Sequence, residues 1–429
     1  MSGLLRRHRD FRLLWCGETA GKFGAAVTTV TLPLVAVTTL RADPFAVGLL
    51  SASSWLPWLL IGLPVGVWVD RLRRRPLMVG SAAASLLLFT AVPVLARSGA
   101  LDLGLLTTVA LLTGAAAVLF QTAYSAYLPT LLTPDDQAEG NAKLHGSASA
   151  AQIAGQGAGG LLAQLAGAVN GLLANAATFL VALLCLLGIR HREPRPTTPA
   201  RARRSLGAEI AEGLRLVAGD RWLRSLTLFG ATSNLALMGY QSLLTVFLVR
   251  EVGLAPGAVG GLLALAGTGG IAGALAVRRT AARLGTARAM LLYELAVPAT
   301  ALLIPLTTRG PGTLLFVVGG FGVSAGVVAG NILKVGFQQR YCPPPLLGRL
   351  VASSAFLNYG TLPLGALLGG ALGSALGVRT ALWITTAGVP LAALILLCSP
   401  VRTVRDLPAR PTDRTTDRTA TAQPAGSSS

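Results

Sequence analysis

Apolar runs of about 20 residues recur from Leu13 to Cys398 with short polar breaks between them. At 1.5 Å per residue each run covers the roughly 30 Å of hydrocarbon in a bilayer. They place spans near 13–38, 47–69, 77–97, 101–125, 146–166, 169–189, 222–248, 257–277, 288–308, 312–333, 351–376 and 378–398. The expected fold class is therefore an all-α integral membrane protein with 12 transmembrane helices. Composition agrees: the chain is 52% hydrophobic and 12% charged, with mean hydropathy +0.63, where soluble domains carry about 25% charged residues.

A formal charge of +19 on 429 residues invites a nucleic-acid reading, so the placement of the basic residues decides. Arg6, Arg7, Arg9 and Arg12 precede the first span, Arg71, Arg73, Arg74 and Arg75 follow the second, and further clusters lie between Arg190 and Arg221, at Arg278, Arg279, Arg283 and Arg288, at Lys334, Arg340 and Arg349, and from Arg402 onward. The alternate loops carry only Arg41, Arg97, Arg250, Arg309 and Arg379. This is the positive-inside pattern, and it puts both termini in the cytoplasm. No aromatic and basic stripe accompanies the charge, so no nucleic-acid partner is expected. Cys16, Cys185, Cys342 and Cys398 show no metal-ligand spacing, and no metal or cofactor is expected. The basic start resembles a signal peptide, but the following span is too long, so the first helix is expected to be retained.

The main break runs from Arg190 to Asp220, opening with Pro194, Pro196 and Pro199 and continuing as an amphipathic helix over Leu206 to Val217. It divides the chain into a six-helix half (1–189), a cytoplasmic linker (190–221), a second six-helix half (222–401) and a polar tail (402–429) too poor in apolar residues to bury anything. Pro134, Gly155, Gly159, Gly160 and Gly167 recur as Pro344, Gly365, Gly369, Gly370 and Gly377 at one constant offset, and Pro44 with Ala46, Val47 and Gly48 matches Pro256 with Ala258, Val259 and Gly260 at nearly the same one. The halves thus form a parallel repeat, the arrangement of transporters that rock about a site near the midplane. The recurring glycines of the fifth and eleventh spans are read as helix-packing positions.

Several stretches resemble the major facilitator superfamily, and within it the branch of bacterial drug and siderophore exporters similar to the enterobactin exporters. Arg7-His8-Arg9-Asp10-Phe11-Arg12-Leu13-Leu14-Trp15 looks like that branch's entry into the first helix, Gly66-Val67-Trp68-Val69-Asp70-Arg71-Leu72-Arg73-Arg74-Arg75 is similar to the superfamily's loop motif, and Asn358 to Gly370 resembles the branch's eleventh span. The resemblance implies a latch of Gly66, Asp70, Arg71, Arg74 and Arg75 that closes the cytoplasmic side. Asp70 lies where the second helix leaves the membrane, where a carboxylate can accept from a neighbouring helix N-terminus. The chain departs from the family in having Gly155-Gln156-Gly157 in the fifth span, no basic residue from Leu106 to Gln121, and no acid matching Asp70 in the second half.

Charges at a helix centre cost about 2.5 to 3.5 kcal/mol, so they normally face a cavity or a partner. Glu18 and Lys22 share one face of the first span, with Lys22 roughly 14 Å in from its cytoplasmic edge. Glu18 is a candidate to bind a proton or a cationic substrate, with Lys22 setting its affinity or meeting an anionic group; a local ion pair that makes the helix insertable is the competing reading. Glu294 reads as structural. The resemblance implies that spans one, four, seven and ten line the cavity, which adds Gln121, Tyr124, Asn234, Met238, Gln241, Thr245 and Asn331 as candidate substrate contacts. Gly17 to Lys22 lacks the spacing of a phosphate loop, so an ion gradient is the expected driving force and the proton is the coupling ion the resemblance implies. The expected function is secondary active export of a drug-like or siderophore-like molecule by alternating access, from a monomer in the bacterial inner membrane. Import of a sugar or other metabolite is the alternative, as is a non-transporting membrane protein on the same scaffold. An enzyme is not expected, since His8, His145 and His191 all lie outside the spans.

Overall fold

The computed structural model describes residues 3–191, 193 and 206–409. Its spans are α1 (Arg9–Thr39), α2 (Pro44–Leu60, continued by Gly62–Arg71), α3 (Arg74–Arg97), α4 (Leu103–Leu131), α5 (Pro134–Ala166) and α6 (Ala168–Gly188), then α7 (Arg221–Glu251), α8 (Pro256–Leu284), α9 (Thr286–Leu306), α10 (Gly310–Tyr341), α11 (Pro344–Leu376) and α12 (Val378–Leu397). Ten of these are long and apolar enough to cross a membrane by length and composition; α2 is shorter as an unbroken helix and α5 carries more polar residues. A linker helix, Leu206–Gly219, stands between the halves in sequence, while 194–205 and the tail from 410 lie outside the described residues.

Local chemistry sets the helix starts. Asp43, Asp102 and Asp220 accept from the backbone N–H groups of Ala46 (2.8 Å), Leu105 (2.7 Å) and Trp222 (2.8 Å), satisfying donors that no intrahelical carbonyl reaches. Gly167 and Gly377 turn the chain between α5 and α6 and between α11 and α12 at φ +86° and +85°, which a Cβ would disfavour.

The repeat extends to hydrogen bonds. α1 and α7 both end in a π-helical turn, Val35–Thr39 and Phe247–Glu251, and both are closed by the same bond: Ala42 N–H to Ala36 O and Leu254 N–H to Leu248 O are each 2.8 Å. Arg41 takes φ +51° where the second half has Gly253 at +71°.

The halves meet along two seams, α2 against α11 and α5 against α8. A methyl group on Gly48 would lie 2.9 Å from Gly370 Cα, and one on Gly160 would lie 2.6 Å from Gly260 Cα, so only glycine permits this backbone approach. Gly155 and Gly159 likewise admit the α1 backbone, and Gly365 and Gly369 that of α7. Each seam is tied by a matched bond: Ser374 Oγ accepts from Phe45 N–H and Gln164 Oε1 from Gly257 N–H, both at 3.0 Å. Arg250 adds a third, donating to Val37 O at 3.3 Å. Among the described residues these cross-half bonds lie at the face away from the termini.

Burial follows the same division. One hydrophobic core at the far face draws on both halves, from Val30 to Leu50 and from Leu237 to Val259. At the face carrying the termini there are two separate cores, one built around Phe11, Val65 and Tyr127, the other around Trp222, Met290 and Leu350. The halves are joined at the far face and apart at the basic face.

Three details differ from the sequence expectations. The second span is interrupted at Ile61, where ψ is −4°. The ninth is not a regular helix: after Leu291 it passes through a π turn (Leu292–Ala296) into a 3-10 helix (Pro298–Leu306), because Pro298 and Pro305 lack donors. Residues 402–409, expected in the polar tail, are packed against α9, with Asp406 accepting from Thr286 N–H at 2.8 Å and Leu407 N–H donating back to Thr286 Oγ1 at 2.8 Å.

Candidate functional site

Among the polar candidates, Glu18, Lys22 and Gln121 come together. The Lys22 ammonium lies 3.3 Å from Glu18 Oε1 and 3.3 Å from Gln121 Oε1, bridging α1 to α4. Glu18 is 7% exposed, whereas the Lys22 side chain is 40% exposed and takes the open side of the pair. The pair borders a cavity enclosing about 610 Å³ of empty space, partly continuous with solvent, between α1, α3, α4 and α6. Phe120 and Phe179 supply its apolar walls, and Ser81, Ser85 and Thr113 its hydroxyls. Tyr124 is buried one turn below Phe120 and stacked on it, with ring centroids 6.3 Å apart.

Ser81 and Ser85 lie one turn apart on α3 and are not among the sequence candidates. Their spacing is visible in the sequence, but membrane-helix hydroxyls usually bond their own preceding turn, as Thr113 does to Val109 O at 2.7 Å. Serine in a span therefore does not by itself mark a cavity wall.

The candidates of the second half do not join this cavity. Asn234 Nδ2 donates to Asn358 O at 3.2 Å, tying α7 to α11, which is the gluing role such groups commonly have in membranes. Thr245 is buried, Met238 half-buried, and Gln241 and Asn331 are exposed. Glu294 sits in the π turn of α9, facing Gly330 of α10 and within electrostatic reach of Lys334.

Of the loop motif, the Asp70 side chain lies outside the described residues. Arg75 caps the end of α6, donating to Leu186 O at 3.0 Å and Leu187 O at 2.8 Å, and the N–H groups of Arg74 and Arg75 meet Glu193 Oε2 at 2.8 and 3.2 Å. Arg71 is exposed at the end of α2. Among the described residues a methyl group on Gly66 would meet nothing within 4 Å, in keeping with halves that are apart at the basic face. No group of His, Cys, Asp and Glu suited to a metal occurs among the described residues.

The sequence from residue 5 to 423 matches the family model described as a transmembrane secretion effector. Over 411 residues the chain is 26% identical to the multidrug efflux pump Tap of Mycolicibacterium fortuitum, covering 93% of this chain and 97% of that one. Its fold is similar to the nucleoside transporter NupG (TM-score 0.72, 14% identity, 91% of this chain and 98% of that one). It is also similar to a bacterial homologue of the iron transporter ferroportin in an inward-facing state (TM-score 0.72, 18% identity, 92% and 99%). The chain belongs to the transmembrane secretion effector family of the major facilitator superfamily, and is a multi-pass membrane transporter rather than an enzyme.

Proposed function

We propose that this transporter exports a drug-like or siderophore-like organic molecule across the bacterial inner membrane in exchange for protons, with both termini in the cytoplasm. Export is supported by the full-length likeness to Tap. The charge asymmetry of the loops supports the orientation. On that orientation the far face is extracellular and the structure is the inward-facing state, with the halves apart at the face where the latch motif of Gly66, Asp70, Arg71, Arg74 and Arg75 stands.

Coupling rests on one observation: the buried carboxylate of α1 borders a cavity and pairs with the Lys22 ammonium. A carboxylate taken out of water needs its partner's charge. Protonation of Glu18 frees Lys22 to pair elsewhere, and a cationic substrate at the carboxylate excludes the proton. One group that cannot hold both gives an exchange. Gln121, whose Oε1 already lies 3.3 Å from the ammonium, is the partner left to Lys22 when Glu18 is neutral.

The test is efflux in proteoliposomes with an imposed pH gradient. Wild type is expected to accumulate substrate against its gradient, and Glu18→Gln to equilibrate it without accumulation. Accumulation by Glu18→Gln equal to wild type assigns coupling to another group.

A further inference from the structure

The two seams repeat in backbone but not in chemistry. Where α5 meets α8 the inner part of the seam is filled by Gly267 against Ile153 and Gln156. Where α2 meets α11 the same depth is occupied by three aromatic rings, Trp55 and Trp58 from one half and Tyr359 from the other. The Trp55 and Tyr359 rings are nearly parallel, 18° apart, with centroids 6.3 Å from each other, and Trp58 lies 5.1 Å from Tyr359 at 45°. By the internal repeat, Trp55 and Trp58 correspond to Gly267 and Gly270, and Tyr359 to Ser149. The sister seam closes without any ring at these positions, so the fold itself does not require the cluster.

Its position is the level at which the halves part. Toward the far face the seam is sealed by Gly48 on Gly370 and by Ser374 on the Phe45 amide. Toward the basic face Val65 and Val69 of α2 turn into the core of the first half and Leu350 of α11 into that of the second. Leu59 beside Gly360 continues the cross-seam contact next to the rings, and α2 is interrupted two residues further on, at Ile61. Tyr359 is 39% exposed and both tryptophans are half-buried, so ring surface remains uncovered.

We infer that Trp55, Trp58 and Tyr359 form a stacking site, shared between the halves, for planar aromatic compounds among the transported molecules. The inference rests on the export reading above and narrows its substrate class. A planar guest between two parallel rings needs roughly 7 Å, two contacts of about 3.5 Å. The 6.3 Å between the Trp55 and Tyr359 centroids includes any sideways offset of the rings, so a guest enters by the two rings, and with them the two halves, parting. Because the rings belong to different halves, a guest between them bridges the two bodies that rock, and opening at the far face takes one wall of the site away. Stacking tolerates many ring systems, since every aromatic has a π face.

The experiment compares two cationic probes on purified protein in nanodiscs: ethidium, which is planar and aromatic, and tetrabutylammonium, which has no ring. Tyr359→Leu and Trp58→Leu remove a ring while keeping an apolar side chain at the seam. Both are expected to weaken ethidium at least tenfold and to leave tetrabutylammonium within twofold, and Tyr359→Phe is expected to bind both as wild type does. Retained tetrabutylammonium binding also reports an intact fold. Equal weakening of both probes makes the rings a structural part of the seam and overturns the proposal, as does wild type that binds tetrabutylammonium but not ethidium, an outcome that leaves the export reading standing. Binding of neither probe by wild type overturns the stacking site, while the export reading stands or falls on the efflux assay.

Discussion

At the scale of single residues, the least conspicuous acids of the sequence hold the basic face together. Glu193, beyond α6, accepts from the first amides of α3, and Asp406, beyond α12, accepts from the first amide of α9. The two bonds stand at equivalent places in the repeat, so each half ends by capping its own third helix. A cap of this kind is worth about 1 kcal/mol. Asp406→Ala is expected to lower the melting temperature of the detergent-purified protein by a few degrees and Asp406→Asn to restore most of it, since the amide oxygen still accepts. Identical melting of the three proteins shows the contact to be unimportant. Neither acid stands out in the sequence, because each partner amide is about 120 positions away and a lone acid in a polar loop reads as solvated. Glu18 and Lys22 are legible for the opposite reason: a charge inside an apolar run has few places to go, and Gln121 across the cavity is where Lys22 goes.

At the scale of helices, glycine spacing foretells where backbones touch, while proline does not foretell where helices break. Pro33, Pro93 and Pro363 lie within continuous helices, but α2 is interrupted after Pro57 and α9 leaves the α form around Pro298. Neighbouring helices re-satisfy the freed carbonyls in some places and not in others, and the sequence of one helix does not contain its neighbours. The glycines allow an opposed pair of predictions. Gly160→Ala forces the α5 and α8 backbones apart and is expected to disfavour closure at the far face. Gly66→Ala meets no neighbour among the described residues, so it is expected to leave the inward-facing state intact and to hinder the state in which the latch engages. Both are expected to slow efflux severalfold. They are distinguished by reactivity toward a membrane-impermeant maleimide of a cysteine placed at Gly21, an open position on the cavity wall, in a background lacking the four native cysteines. In intact cells Gly160→Ala is expected to raise labelling and Gly66→Ala to lower it; a shift in the same direction for both is incompatible with two gates at opposite ends.

At the scale of the whole molecule, the net charge of +19 conceals a division of labour among the arginines. Most sit at the basic face, but three on the other side surround the end of α7. Arg309 donates to Val252 O at 2.7 Å and Gly253 O at 3.0 Å, Arg379 pairs with Glu251 at 3.2 Å and lies over the Phe247 ring, and Arg250 reaches the other half, at Val37 O. The first two fasten the π turn of α7 to its own half, so the Arg250 bond can transmit the position of that half to α1. A partly buried bond of this kind contributes about 1 kcal/mol, or roughly a fivefold change in population. Arg250→Ala is therefore expected to raise labelling of the Gly21→Cys reporter from outside the cell about fivefold, without changing its labelling by a permeant maleimide. Arg309→Ala and Arg379→Ala, which disturb the same turn but touch only the second half, are expected to act less. Equal effects of all three make the turn's own order, rather than the bond between halves, the quantity that holds the far face shut.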